Sequence, residues 1–251
     1  LPTVMTPDLA EFLGLMVADG TVWATGFRLA KRHKDVVDRF SSLVNDLFDC
    51  PARSVDTCGT LGAEVNSVYL VAWLNQLGGM SPNAKDVPDC ILRSDTSIHK
   101  AFLRGLFEDG GVSEKDGCIE WSSIYPQLRQ AVRVMLLRLG IAVGECVKRP
   151  ECLYLYATNA YKFIRDIGFV SGRKNQLGAA YTYDDEVRYS RVPFSLYQLK
   201  ELKRFIGIKD YENGRSRGYL TRNTVLRATT EHGSPDWLLE KLSWHYVRVR
   251  L

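Results

Sequence analysis

The sequence predicts an α+β fold in which helices pack on one face of an antiparallel sheet, with the whole arrangement made twice in one chain. Three observations predict it. The segments Phe12-Leu-Gly-Leu-Met-Val-Ala-Asp-Gly20 and Phe102-Leu-Arg-Gly-Leu-Phe-Glu-Asp-Gly110 are near-copies, each an apolar, glycine-containing helix pattern ending in Asp-Gly. The same order of patterns then follows each copy. The intervals also agree: Asp19 to Gly78 and Asp109 to Gly168 are both 59 residues, and Asp19 to Lys85 and Asp109 to Lys174 are 66 and 65. Duplicated order with duplicated spacing marks a duplicated half-domain.

Each element has its own signal. After the first segment, Thr21 to Arg32 reads as two strands around the turn at Ala-Thr-Gly26. Asp35 to Phe48 is an amphipathic helix that buries Val36, Val37, Phe40, Leu43, Val44 and Leu47 at a 3.6-residue period. Strands follow near Arg53–Cys58 and Ala63–Val68, then a short helix from Val71 to Gly78. After the second segment come strands between Val112 and Ser123 around Lys-Asp-Gly117, and a helix from Gln127 to Leu139. Strands at Ala142–Lys148 and Cys152–Ala157 and a helix from Ala160 to Gly168 complete that half. The divisions are residues 1–98, 99–180 and a non-repeating extension, 181–251.

The extension reads as mostly helical. Tyr197 to Ile206 forms a helix with Ser195 as its N-cap, Thr221 to Thr229 a second and Pro235 to Leu242 a third, before a strand-like end from Ser243. It holds 13 of the 33 Lys and Arg but only 9 of the 29 Asp and Glu, so it carries the chain's whole net charge of +4. Such a stretch favours a polyanion such as nucleic acid. Composition is that of a soluble globular protein, with 45% hydrophobic and 25% charged residues. No apolar run reaches the roughly 20 residues of a membrane span. The start at Leu1 is expected of a segment cut from a longer chain. The six cysteines form no Cys-x-x-Cys, and with the four histidines give no zinc pattern, so they read as reduced, intracellular thiols.

The chemistry lies in the two Asp-Gly ends. A helix C-terminus carries partial negative charge, which makes a carboxylate there unfavourable on its own. Two such ends brought together form a pocket of excess negative charge suited to a divalent cation. Gly14 and Gly105, lacking Cβ, would let the two helices approach closely.

The paired segments resemble the two-motif, monomeric form of the LAGLIDADG homing endonucleases, as found in inteins. Lys85-Asp-Val-Pro88 and Phe102-Leu-Arg-Gly are typical of that family too, and Trp244-His-Tyr-Val-Arg-Val249 resembles a block of an intein splicing domain, with His245 where an acidic residue is usual. The resemblance implies a pseudo-twofold LAGLIDADG fold whose signature helices pack on the axis. It implies a metal-dependent endonuclease that cuts both strands of DNA at a long, asymmetric target. Asp19 and Asp109 would be catalytic and hold Mg²⁺ with Gly20, and Lys85 and Lys174 would be the basic residues near the scissile phosphates.

The second motif departs from the pattern. Gly14 precedes Asp19 by five residues, but Gly105 precedes Asp109 by four. In strict helical register Gly110 takes the acidic position and Asp109 points about 100° away. Downstream spacing favours Asp109, with Glu108 as the substitute ligand.

One face of each sheet would line the DNA major groove. The candidates are Trp23, Arg28, Lys31, Arg32, Arg53 and Thr57 in the first half. In the second they are Lys115, Glu120, Ser122, Lys148, Arg149 and Tyr154, with Trp121 and Tyr156 in the core. In the extension Arg188, Arg191, Lys203, Arg204, Arg215, Arg217 and Arg222 would meet phosphates. The alternatives are a DNA-binding regulator on the same scaffold that has lost cleavage, and an RNA-splicing maturase.

Overall fold

The computed structural model describes residues 1–180 except 58, 82, 147, 148 and 157. Beyond them it describes 191–203, 206, 211, 212, 214, 215, 219–221, 224, 225 and 238. The chain divides into two compact units, 1–182 and 183–251.

In the first unit α1 (Pro7–Asp19) starts where Pro7 sets the first-turn geometry and the Thr6 side chain accepts from the Leu9 N–H. It is buried at every position from Leu9 to Val17, as a helix enclosed on all sides must be. The chain continues through β1 (Thr21–Trp23), β2 (Gly26–Ala30), α2 (Lys34–Phe48), β3 (Arg53–Thr57), β4 (Thr60–Asn66) and α3 (Val68–Leu77). A small hairpin, β5 (Met80–Ser81) and β6 (Ala84–Lys85), and the single turn α4 (Asp89–Leu92) lead to α5 (Thr96–Leu106). The Asp95 carboxylate caps α5 by accepting from the Ser97 and Ile98 N–H groups. A 3₁₀ turn (Phe107–Asp109) extends α5 and is followed by β7 (Gly111–Val112), β8 (Ile119–Ser122), α6 (Pro126–Arg138), β9 (Gly144–Cys146) and β10 (Arg149–Leu155). The helices α7 (Thr158–Asp166) and α8 (Gly172–Ala179) close the unit.

Both sheets are four-stranded and antiparallel, in the orders β1-β2-β4-β3 and β7-β8-β10-β9, the same topology twice. Their registers match as well: Thr21 pairs with Arg28, and Gly111 with Glu120. Phe27, Leu29, Ala63 and Val65 of the first sheet face the core against α2, as do Ile119, Trp121, Leu153 and Leu155 of the second against α6. Phe12 packs on Phe27 and Phe40 in one half, and Phe107 on Trp121 and Phe163 in the other.

The halves meet along α1 and α5. A Cβ on Gly14 would lie 2.1 Å from the Phe102 carbonyl oxygen, and one on Gly105 2.3 Å from that of Glu11. Both glycines sit in the contact, as the sequence predicts, and no larger residue fits without parting the helices. Glu11, 3% exposed, accepts from Arg39 at 2.7 Å and lies 3.5 Å from Arg104 of α5, an ion cluster that joins α1 to α2 and to α5.

The structure departs from the sequence reading in several elements. The hairpin β5–β6, α4 and α8 lie where no element was expected. Tyr156, assigned to the core, is 50% exposed and stacks on Tyr154 with centroids 5.7 Å apart.

In the second unit β11 (Arg191–Pro193) pairs antiparallel with β12 (Tyr219–Thr221), and α9 (Leu196–Leu202) begins in a capping box between Ser195 and Gln198. Val192, Phe194, Leu199, Leu202, Leu220, Val225 and Leu238 form its separate core. Ser195 is the predicted N-cap. Thr221 closes a strand rather than opening a helix, and the third helix and the C-terminal strand fall outside the described residues, apart from Leu238.

Candidate metal centre and nucleic-acid interface

The two acidic ends meet. The Asp109 carboxyl is held above its ordinary value first by burial and then by the adjacent Asp19 charge, and the Lys31 ammonium lies against both acids. Each side chain is 41% exposed, so the pair opens on solvent. Among the described residues no group of three or more His, Cys, Asp or Glu is placed to hold a metal ion. The donor set is therefore two carboxylates. Their hard oxygens suit a divalent ion such as Mg²⁺, with further oxygens supplied from outside the protein.

The shortened second motif is resolved by geometry. From Leu106 the chain tightens from an α-helix into the 3₁₀ turn. One α step and three 3₁₀ steps rise about 7.5 Å, as much as five α steps. Asp109 thus reaches the height of Asp19 with one residue fewer.

Gly20 and Gly110 follow the acids in extended backbone, with φ of −63° and −83°. They are glycine for want of space: a Cβ on Gly20 would lie 2.5 Å from the Met16 oxygen, and one on Gly110 2.6 Å from the Glu120 oxygen. Glu108 is not the substitute ligand. Its side chain, 1% exposed, accepts from the Ser171 N–H at 2.9 Å and lies 3.3 Å from the Lys174 ammonium, so it is spent inside the protein.

The two predicted lysines occupy matching places by different routes. Lys85, on the hairpin strand β6, donates to the Ala18 carbonyl at 2.9 Å. Lys174, on helix α8, donates to the Glu108 carbonyl at 2.6 Å and to Gly110 at 2.8 Å. Ala18 and Glu108 each immediately precede an acid, so each lysine neutralises the negative end of a signature helix. Burial pulls both ammonium pKa values down. The neighbouring carboxylates, Asp19 and Asp109 for Lys85 and Glu108 for Lys174, oppose that.

Lys31, expected on the DNA-reading face, is instead at this centre. Its ammonium pairs with Asp19, lies 3.7 Å from Asp109 and donates to the Glu108 carbonyl at 3.4 Å. Sequence reasoning placed it at the end of a strand, but only the fold brings that end to the axis. A cleft of about 230 Å³ lies beside Asp109 and Lys85, lined by Ser122, Ser123 and Tyr125 among others; Ser123 and Tyr125 carry no motif signal.

The sheet faces turned from the helices carry most of the other expected DNA contacts. Thr21, Trp23, Arg28, Glu64 and Arg53 share one face through the pairings Trp23–Gly26, Arg28–Glu64 and Arg53–Glu64. In the second half Glu120, Ser122, Cys152 and Tyr154 share the other, and Arg149 lies 2.6 Å from Glu120. Arg32 is exposed beyond β2, and Lys115 is exposed in the β7–β8 turn. Arg215 is exposed, and Lys203 lies over the Tyr211 ring at 5.3 Å. Lys148, Arg188, Arg204, Arg217 and Arg222 lie outside the described residues, as do the side chains of Thr57 and Arg191. Among the described residues no helix is long and apolar enough to cross a membrane.

Two helices crossing at glycines, two sheets of identical topology and an acid pair at the axis define the LAGLIDADG class of fold. Residues 97–168 match the family described as "LAGLIDADG-like domain". The homing endonuclease I-DmoI, in a crystal structure with DNA and Ca, superimposes with a TM-score of 0.53 at 15% identity, covering 69% of this chain and 97% of that one. Full-length DUF199/WhiA from Thermatoga maritima superimposes with a TM-score of 0.50 at 12% identity, covering 97% of this chain and 91% of that one. These likenesses are likenesses of fold. Among curated proteins, an A-type ATP synthase subunit of Pyrococcus abyssi (strain GE5 / Orsay) is 26% identical over 235 residues, 87% of this chain and 22% of that protein. A DNA gyrase subunit of Mycobacterium malmoense is 32% identical over 117 residues, 42% of this chain and 24% of that protein. The chain spans a tenth to a quarter of the curated relatives it matches. It carries a LAGLIDADG-like domain and has the LAGLIDADG fold.

Proposed function

We propose that this chain is a site-specific, metal-dependent DNA endonuclease of the homing type. The observation that carries the reading is the meeting of Asp19 and Asp109 at the ends of two helices that cross at glycines. A protein needing only the fold gains nothing from two carboxylates in contact, since like charges there oppose folding. Their meeting speaks for a cationic ligand.

The residues divide the work. Asp19 and Asp109 hold a divalent cation, Mg²⁺ being the ordinary cellular choice, with Gly20 able to offer only its backbone carbonyl. That ion supplies Lewis acidity toward phosphate oxygens and lowers the pKa of water. Lys85 and Lys174 fix the heights of the two acids by holding the carbonyls next to them. The open faces of the two sheets carry unlike side chains, so the protein acts as a monomer on an asymmetric duplex. In this reading Arg28, Arg53 and Arg149 donate to base edges, Glu120 accepts from them, and Trp23, Ser122 and Tyr154 contact the same groove. Arg32, Lys115, Arg215 and the basic residues of the second unit supply phosphate contacts.

We further infer that the chain is the endonuclease part of an intein and works on DNA inside the cell. An ATP synthase subunit and a DNA gyrase subunit are different proteins, yet each contains a stretch resembling this chain over a minor share of its length. A mobile insertion accounts for that pattern.

The second reading is DNA binding without cleavage. Lys31 pairing with the acids favours it, because a resident ammonium already neutralises them. One experiment separates the two. Bound duplexes are selected from a random pool, cloned into supercoiled plasmid and incubated with the protein and Mg²⁺ or Mn²⁺. Cutting that Asp19→Asn abolishes supports the endonuclease. Binding with no cutting supports the second reading, and no selection at all overturns both.

A further inference from the structure

The acid pair already has a cation, and it comes from one half alone. Thr21 pairs with Arg28 and Gly111 with Glu120, so three residues further on Lys31 matches Ser123. The backbone agrees: Lys31 N–H donates to the Leu61 carbonyl at 2.9 Å, and Ser123 N–H to the Glu151 carbonyl at 3.0 Å. Where the first half places an ammonium, the second places a hydroxyl. The Lys31 side chain is 12% exposed, while the acids it touches are 41% exposed. Lys85 and Lys174 donate to helix-end carbonyls, so the contact to both Asp19 and Asp109 falls to Lys31.

We propose that Lys31 is the resident counter-ion of the Asp19–Asp109 pair and gates divalent-metal binding, so that the metal binds tightly only once DNA phosphate has drawn the ammonium away. This rests on the metal reading of the acid pair. An ammonium at these carboxylates occupies the oxygens a metal needs and repels a doubly charged ion over a few ångströms. Two carboxylates leave a hard cation short of oxygen ligands. A phosphate remedies both defects, since it offers oxygens to the metal and a new ionic partner to Lys31. By linkage, DNA then tightens the metal by the same factor as the metal tightens DNA. The protein is thereby kept unloaded until it meets its substrate.

The test is Ca²⁺ titration by calorimetry of the wild-type chain, Lys31→Ser, Lys31→Met and Asp19→Asn, each with and without a selected duplex. Lys31→Ser gives the first half the side chain that the second half already has at that register. The DNA-free Lys31 variants are expected to bind Ca²⁺ roughly tenfold tighter than wild type. The duplex should tighten Ca²⁺ at least tenfold for wild type and much less for the variants. Equal affinities in the DNA-free proteins, or an unchanged effect of DNA, would overturn the role of Lys31 while leaving the metal reading intact. No Ca²⁺ binding by any of these proteins, even with DNA, overturns the metal reading and the gate together. Thermal melts confirm that each variant is folded, and either Lys31 variant suffices if the other is not.

Discussion

The Asp35 carboxylate accepts a hydrogen bond from the Gly172 N–H at 2.8 Å, joining residues 137 positions apart. Asp35 lies in the first turn of α2 and Gly172 opens α8, the helix that carries Lys174. One half thus caps the helix that positions the other half's lysine. Asp35→Ala should lower stability by about 1 kcal/mol, the usual worth of such a cap. Urea unfolding measures it, and an unchanged midpoint would show the bond to be idle.

Gly14→Ala is expected to cost more. The added Cβ meets backbone, the Phe102 carbonyl at 2.1 Å, which cannot rotate away. Overpacking of this kind costs about 1–3 kcal/mol, and a rigid contact lies at the upper end. Alanine tolerated at both 14 and 105 without loss of stability would contradict the close crossing.

Asp109→Asn should uncouple stability from cleavage. The wild-type carboxyl is disfavoured by burial and by Asp19, so a neutral amide of the same shape relieves the folded, metal-free protein. The variant should melt above wild type at neutral pH without metal and, on the proposed function, cut no DNA. A lower melting temperature would mean that the pairing with Lys31 outweighs the repulsion.

Cys118 gives a pH-dependent readout of the second half. Burial, and then the Asp116 and Glu120 charges, push its thiol up to about 11. The thiolate is the reactive form, so alkylation should be slow at pH 8 and accelerate as pH rises toward 11. Peptide mapping after iodoacetamide treatment checks this, with an ordinary thiol as the faster reference.

Arg149 tests the reading surface. Its partner Glu120 lies 2.6 Å away on the open face of the second sheet. On the proposed function, Arg149→Ala should relax base preference in one half-site by about 1–3 kcal/mol and leave the other half-site untouched. Uniform weakening across sequences would reassign it to phosphate contact.

The repeat, the two sheets and the helix crossing were legible because periodicity and spacing are local signals. The Asp19–Asp109 meeting was legible because duplication implies symmetry. Lys31 was not, because a residue just past a strand carries no mark of which axis its tip approaches. Glu108 was misread for a related reason: only the 3₁₀ turn turns it inward to Ser171 and Lys174. Lys174 was found by its interval from Asp109, although it sits on a helix that propensity did not reveal.

Each open sheet face is built from one uninterrupted stretch, 21–66 for the first sheet and 111–155 for the second, with the acids just before each. On the proposed function, half a recognition surface could be exchanged as a single block of gene, with Lys31 and Asp35 of the first block as the two points where the exchange would reach the acid pair and the other half. On that reading, such modularity would give recombination a short path to new genomic addresses.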